Sequence, residues 1–137
     1  DLLFSEGSFP VAAPALLSAG TPLQKPADLA QHTLLHTASF PDDWQRWLTM
    51  AGLADLEPTG NQTFDETIVV QQAAINGLGV ALGRQALAGV DIAAGRLVKL
   101  FDMALPQETA FYLVSPSATQ DQPKIAAFRN WILAQID

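Results

Sequence analysis

The stretch from residue 64 to residue 84, FDETIVVQQAAINGLGVALGR, constrains the fold more than any other part of the chain. Asp65 suits the N-cap of a helix, because its carboxylate can accept hydrogen bonds from the free backbone N–H groups of the first turn. Gly77 is expected to end that helix, since glycine adopts the left-handed conformation at little cost. Val80-Ala81-Leu82 is short and wholly apolar, which is typical of a buried strand. The stretch therefore predicts one helix–turn–strand unit of an α/β sheet.

The helix in this stretch has apolar residues with which to pack against the sheet. Ile68, Val69, Ala73 and Leu78 are expected to supply its buried positions. Phe64 precedes the predicted cap and has the spacing from Val69 that is typical of a hydrophobic staple. Gly79 is expected to let the chain re-enter the sheet as Val80-Ala81-Leu82.

Strands and helices alternate along the rest of the chain. Strands are predicted at residues 9–13, 33–36, 57–63, 97–101 and 111–114, and helices at residues 25–30, 42–50, 85–88 and from Asp121 onward. A turn is predicted at residues 89–91, directly after the short helix. The last helix is expected to bury one stripe, formed by Ile125, Phe128, Ile132 and Ile136. This alternation predicts an α/β fold with a largely parallel sheet and helices on both faces.

Composition excludes several classes of function. The chain of 137 residues is 49% hydrophobic, enough for one compact domain or one domain and part of a second. Its 7 basic and 14 acidic residues give a net charge of −7, which disfavours direct binding to nucleic acid. No signal peptide or membrane-spanning run is predicted, so we expect no membrane partner and a cytoplasmic location. The absence of cysteine excludes disulfides and thiolate metal sites.

A search for catalytic motifs finds no enzyme signature. The glycines at 77, 79 and 83 lack the spacing of a dinucleotide-binding loop and follow a helix instead of a strand. His32 and His36 fall in or beside a strand, where their spacing keeps them apart, and no third ligand lies near them. The acidic pair at Asp42-Asp43 is explained by the start of a helix. We therefore predict no catalytic residue, no metal site and no cofactor.

Ligand binding has a geometric candidate. In open parallel sheets, ligands bind beyond the carboxyl ends of the strands. Here those ends are residues 37–40, 63–65 and 82–84, which carry hydroxyls, amides, a helix start and an aromatic ring. This combination favours a small polar or anionic ligand.

A set of short motifs is spread over nearly the whole chain. The motifs are FPVAAPALL at 9–17, PL at 22–23, PxDL at 26–29, LLH at 34–36, WxxWL at 44–48, QAAxxGxGVAL at 72–82, GRLV at 95–98, FYLVxP at 111–116 and KIxxFRxWI at 124–132. This set resembles the effector-binding domain of LysR-type transcriptional regulators, and most of all the branch that contains the glycine-cleavage and β-lactamase activators. Each motif is weak alone, and together they are specific.

This resemblance implies Rossmann-like subdomains of the type II periplasmic-binding-protein class, one complete and one partial. Residues 1–13 would hold the end of subdomain I and the first crossing strand. Residues 14–96 would form the complete subdomain II, and residues 97–137 the second crossing strand and the C-terminal part of subdomain I. The helix-turn-helix domain and the opening β-α-β of subdomain I are expected to lie outside these residues.

The resemblance also implies an effector site between the subdomains. Its candidate residues are Ala12, Thr37, Ser39, Phe64, Leu82, Gly83, Arg84, Phe111 and Tyr112. Because strand neighbours point to opposite faces, only one of the last two should face a ligand.

The implied function is a ligand-sensing regulatory domain of a bacterial transcriptional regulator. Its expected partners are a small-molecule effector and further copies of the chain, in a homodimer or tetramer. DNA would be bound only through a helix-turn-helix domain. A solute-binding protein of a transport system with the same fold is the first alternative, and an enzyme of the same fold class is the second.

Overall fold

The computed structural model describes residues 1–4, 7–106 and 110–136. The chain forms two compact units. We call Gly7–Pro106 the central unit, and we call the described residues 1–4 and 110–136 the terminal unit. The predicted crossing segments at residues 9–13 and 97–101 both belong to the central unit, and the subdomain boundaries stay a prediction. No helix in the described ranges has the length and apolar character needed to cross a membrane.

The elements alternate along the chain. The strands are β1 (Leu2–Phe4), β2 (Ser8–Ala12), β3 (Thr33–Thr37), β4 (Gly60–Phe64), β5 (Ala81–Arg84), β6 (Val98–Lys99) and β7 (Phe111–Tyr112). The helices are α1 (Pro14–Leu17), α2 (Asp43–Met50), α3 (Thr67–Ile75), α4 (Gln85–Ala93) and α5 (Pro123–Gln135), with a 3-10 helix at Pro26–Gln31. The predicted alternation of strands and helices is therefore present.

The sheet of the central unit is mixed, not largely parallel as predicted. β3 pairs with β4 in parallel, and Leu34 forms a parallel bridge with Val80, directly before β5. β2 lies between β5 and β6 and is antiparallel to both. The prediction was wrong because element order does not reveal pairing between strands that lie far apart in the sequence.

Helices cover both faces of this sheet. Leu34 and Leu35 are neighbours on β3 and belong to opposite hydrophobic clusters, as the two-residue period of a strand requires. α2 contributes Trp44 and Trp47 to the cluster on one face. α3 and α4 contribute to the other cluster, which contains Val70, Ala73, Ala74 and Ala88.

Helix α3 starts later than predicted and buries a different face. Its N-cap is Glu66, not Asp65, and no side chain caps it. Val70, Ala73 and Ala74 are buried, whereas Ile68 is 73% exposed and Val69 and Leu78 are also exposed. Because apolar residues occur all around this helix, its sequence period does not identify the side that meets the sheet. Gly77 follows the helix with φ 80°, so its predicted role at the helix end is confirmed.

Several further boundaries differ from the predictions, and β4 begins at Gly60 instead of residue 57. α4 runs without a break to Ala93, so the turn predicted at residues 89–91 is helical instead. The predicted strands at residues 97–101 and 111–114 shorten to the two-residue β6 and β7. Gly89 does not break α4, since a single glycine only weakens a helix.

The terminal unit consists of a two-stranded ribbon and one long helix. β1 is antiparallel to β7, and Arg129 on α5 forms an ion pair with Asp1. α5 begins at Pro123 with Gln122, not Asp121, as its N-cap. Its expected buried stripe is absent from the described residues: Phe128 is 52% exposed and no residue of the helix is buried. Two short strands offer too little surface to cover a helix of 13 residues.

The start of the 3-10 helix predicts an acid-sensitive contribution to stability. The Asp28 carboxylate accepts hydrogen bonds from the backbone N–H groups of Gln24 (2.9 Å) and Lys25 (3.1 Å), and these bonds hold its pKa below the ordinary value of 3.8. A carboxyl whose pKa is lowered on folding stabilises the protein above its unfolded-state pKa and loses that effect as pH falls through the folded-state pKa.

We therefore expect Asp28→Asn to lower the melting temperature at neutral pH. The difference from the wild type should narrow as pH falls from about 5 to about 2. Thermal melts across this range measure it, with Asp55→Asn as the surface control. A difference that is constant with pH would contradict the role of the charged carboxylate.

Candidate functional site

A small hollow lies in the central unit where β3 and β5 end. Since the Leu34–Val80 bridge makes these two strands parallel, their carboxyl ends reach the same edge of the sheet. The starts of α2 and α3 border the same space. The residues that line the hollow are Ser8, Leu35, His36, Thr37, Phe40, Asp43, Trp44, Thr67, Val70, Leu82 and Arg84.

One acidic and one basic side chain face each other at this hollow. Nη2 of Arg84 lies 3.8 Å from Oδ2 of Asp43, and the two side chains are only 15% and 18% exposed. The guanidinium carbon of Arg84 lies 4.9 Å from the ring centroid of Phe40, which is cation–π distance. The hollow thus combines a positive group, a negative group and an aromatic face.

The Asp43 carboxyl is less acidic than an ordinary aspartate. Burial raises its pKa above 3.8, and the nearby charges of Arg84 and Arg46 lower it by less. Both arginines lie 3.7–3.8 Å away, longer than the roughly 2.7–2.9 Å of a charge-assisted hydrogen bond. The attraction is therefore too weak to offset the loss of hydration.

Backbone and indole contacts hold the edges of the hollow in place. Nε1 of Trp44 donates a hydrogen bond to the Leu35 carbonyl at 2.9 Å, which attaches the first turn of α2 to β3. The Ala38 N–H donates to the Phe64 carbonyl at 2.8 Å and ties the loop after β3 to the end of β4. These bonds are buried or belong to the backbone, so the lining rests on rigid elements.

The candidate residues predicted from sequence separate into three groups. Thr37, Leu82 and Arg84 line the hollow together. Ala12 and Gly83 are buried within the sheet, Phe64 packs against a core cluster and Ser39 is exposed in the turn after β3. Phe111 and Tyr112 are exposed residues of β7 in the terminal unit. The binding roles of all these residues stay predictions.

Sequence reasoning did not select several residues that line the hollow. Ser8 lies there because β2 pairs with β5 and places it opposite Arg84, a register that no local motif reveals. Asp43 was assigned only to the start of a helix, although that helix follows a strand end where ligands bind. His36 lines the hollow, and its Nε2 is hydrogen-bonded to Oδ1 of Asn61 at 2.7 Å. Nε2 of His32 is hydrogen-bonded to the Pro22 carbonyl instead, so the two histidines have different surroundings.

Comparison with known proteins shows the family. The chain matches the LysR substrate binding domain over residues 1–137. It belongs to that family. This LysR domain is 45% identical over 135 residues to the glycine cleavage system transcriptional activator of Escherichia coli K12, covering 98% of this chain and 44% of the relative. The chain thus spans less than half the length of the curated relatives that it matches first.

Solved structures share the fold of this LysR domain. The effector domain of the transcriptional regulator AmpR of Pseudomonas aeruginosa superposes with a TM-score of 0.78 at 28% identity, covering 99% of this chain and 64% of that chain. The effector-binding domain from Citrobacter freundii gives a TM-score of 0.81 at 25% identity, covering 100% and 67%. The predicted family and the predicted α/β, periplasmic-binding-protein-like fold are confirmed.

Proposed function

We propose that this chain is the ligand-sensing domain of a bacterial, cytoplasmic LysR-type transcriptional regulator, and that a small metabolite binds in the hollow of the central unit. The observation that carries the proposal is the convergence of hydroxyls, a charged pair and an aromatic ring at the strand ends of a LysR substrate-binding domain. This edge is where open α/β sheets bind their ligands. The relatives that match are themselves named as transcriptional regulators.

The lining supports a polar ligand held from several directions. Arg84 would pair with an anionic group of the ligand, and Thr37 and Thr67 would offer hydroxyls that donate and accept hydrogen bonds. α2 and α3 both begin at the hollow without a side-chain cap, so their first N–H groups favour negative charge. Val70, Leu82 and the Phe40 ring would contact the apolar part of the ligand.

A ligand regulates only if it binds one conformation of the regulator better than another. We propose that occupation of the hollow shifts such an equilibrium, and that a homodimer or tetramer passes the shift to helix-turn-helix domains that bind DNA. The acidic chain itself, with a net charge of −7, supports a sensing role rather than direct contact with DNA.

Neither alternative function gains support from the comparisons. A solute-binding protein and an enzyme of the same fold class would both use strand ends in a similar way. The relatives, however, are regulators, and at least one of the solved structures is the effector domain of a regulator. The proposal therefore remains a regulatory domain without catalysis.

Calorimetric titration with a metabolite set tests this function, in the protein expressed from its complete gene. We expect at least one small molecule to bind, and Arg84→Gln or Thr37→Val to weaken it by about tenfold to a hundredfold, the range for hydrogen bonds to charged groups. Arg46→Gln is the matched control, because Arg46 also contacts Asp43 but does not line the hollow. A folded protein that binds nothing, or binds equally well in all three variants, would exclude the proposed site.

A further inference from the structure

The terminal unit has no buried core among its described residues. Every buried residue whose side chain is described lies in the central unit, and none lies at residues 1–3 or 110–136. Compact units are held together by a shared apolar interior, and a two-stranded ribbon is at best marginally stable by itself. Among the described residues, β1 and β7 pair with each other and with no third strand. These residues therefore provide only part of the packing that the unit needs.

Large apolar side chains of this unit are exposed together. Phe128 and Trp131 on α5 are both more than half exposed, and their ring centroids lie 6.0 Å apart. We call these two residues the aromatic pair. Leu2 and Tyr112, which are partners across the ribbon, are exposed as well. A single exposed apolar residue is normal, but several in one small unit mark a surface that other atoms cover.

A groove of about 470 Å³ adjoins the aromatic pair. It lies between the residues that follow β7 and the first two turns of α5, and Val114, Pro116 and Ile125 supply apolar lining. At its rim, Nε and Nη2 of Arg129 donate hydrogen bonds to the Asp1 carboxylate at 2.5 and 3.0 Å. Because these two charges satisfy each other within the unit, the groove favours apolar atoms over a charged group.

One further charged side chain lines the groove. Lys124 stands at the exposed start of α5, in the first turn of the helix. A lysine in such a position can lay its aliphatic stem along apolar atoms while its amine stays in water. Lys124 is therefore compatible with an apolar segment in the groove and does not require an anionic one.

The solved effector domains indicate what covers this face. They superpose on nearly all of this chain, whereas this chain covers 64% of the Pseudomonas aeruginosa domain and 67% of the Citrobacter freundii domain. About a third of each solved chain therefore lies outside the superposed part. The sheet of the central unit already has a hydrophobic cluster on each face, so the terminal unit is the part that lacks packing.

We propose that a segment of the same polypeptide, outside residues 1–137, covers this face and completes the core of the terminal unit. It adds at least one strand to the β1–β7 ribbon and packs apolar side chains into the groove and against the aromatic pair. Phe128 and Trp131 are then core residues of the complete LysR domain, not a binding surface for another protein. The inference concerns the packing of this unit and does not depend on which ligand the hollow binds.

Photo-crosslinking in the protein expressed from its complete gene identifies what covers the face. The photoreactive residue p-benzoylphenylalanine replaces Phe128, whose ring it retains. In the matched control it replaces Asn130, which is exposed and lies about 200° around α5 from Phe128. Mixing protein made with and without heavy isotopes separates crosslinks within one chain from crosslinks between copies. We expect position 128 to crosslink within one chain to residues outside 1–137, and position 130 not to do so.

Melting temperatures give a second readout in the same protein. Phe128→Asp would bury a charge in the completed core, so we expect it to lower the melting temperature by about 10 °C or more. Asn130→Asp introduces the same side chain on the exposed side of α5 and should change the melting temperature by about 2 °C or less. If Phe128→Asp does not fold at all, the crosslinks decide alone, because p-benzoylphenylalanine keeps the position aromatic.

Three results would overturn the inference. Crosslinks from position 128 to another copy would show that a second chain covers the face. Crosslinks confined to residues 1–137 of the same chain would show that the unit completes its core without a further segment. Equal crosslinking at positions 128 and 130, together with equal melting temperatures of the two aspartate variants, would show that the face stays open to solvent.

Discussion

Replacing Trp47 with alanine is expected to lower the free energy of unfolding by roughly 3–5 kcal/mol, the usual range for a large buried aromatic residue. Trp47 is fully buried on α2, stacks on Phe101 at 6.0 Å between centroids and meets the edge of Trp44 at 5.9 Å. Its Nε1 also donates a hydrogen bond to the Met103 carbonyl at 3.1 Å. The substitution would leave a cavity and remove the donor for that carbonyl.

The loss would reach the hollow as well as the core. Trp47 lies one turn after Asp43 on α2. Loss of its packing would therefore let the Asp43 carboxylate move away from Arg84. Such a loss is large against the ~5–15 kcal/mol that stabilises a typical domain. Urea unfolding monitored by circular dichroism measures the change.

Met50→Ala provides the matched comparison for Trp47, since Met50 is an exposed residue of the same helix. Its effect should stay within about 0.5 kcal/mol, as is usual at exposed positions. Trp47→Phe should fall between the two variants, because it retains a six-membered aromatic ring but loses the five-membered ring and the hydrogen bond that this ring donates. Equal unfolding midpoints for Trp47→Ala and Met50→Ala would show that α2 does not anchor the core.

Gly79→Ala is expected to lower the free energy of unfolding by roughly 2–4 kcal/mol. This loss combines the effect of overpacking with that of a disturbed backbone hydrogen bond. A Cβ at this position would overlap the carbonyl oxygen of Thr33 and press on the side chain of Leu35 at 3.2 Å. That same oxygen accepts the hydrogen bond from the Val80 N–H at 2.9 Å. Relief of the overlap would therefore separate β3 from the segment that leads into β5, whose far end carries Arg84.

Gly60→Ala is the control for this substitution, because Gly60 is also next to Thr33. A Cβ there would lie 3.4 Å from the Thr33 hydroxyl, an ordinary contact, and the φ angle is not left-handed. Alanine restricts the unfolded chain more than glycine, so this variant should be neutral or slightly more stable. Thermal melts compare the two variants. Equal decreases in melting temperature would contradict the explanation that the nearby Thr33 carbonyl requires glycine at position 79.

The two glycines after α3 show how far local reasoning reaches. Gly77 was expected to end the helix, and its φ of 80° is a conformation that glycine adopts easily. Gly79 was expected to admit the chain to the sheet, and it lies against a backbone carbonyl where no side chain fits. The requirement at Gly77 concerns a few consecutive residues, so a short sequence pattern was enough to predict it. The contact of Gly79 with Thr33 joins distant segments, and only the structure reveals it.

The buried face of a helix could be predicted for α2 but not for α3. α2 has a single apolar side, and its Trp44, Trp47 and Leu48 are buried as the period predicts. α3 is apolar nearly all around, and the face that packs on the sheet is that of Val70 and Ala73 rather than Ile68. A pattern identifies a buried face only when polar residues mark the opposite one.

The sequence by itself determined the family, the α/β class and the order of strands and helices, because local propensity, turn residues and recurrent motifs express these directly. Only the tertiary structure decided that Ser8 lies opposite Arg84, that Asp43 faces that arginine, and that the sheet is mixed. Contacts of this kind join residues far apart in the chain. They depend on strand register and helix packing across the whole core, which no single stretch of sequence encodes.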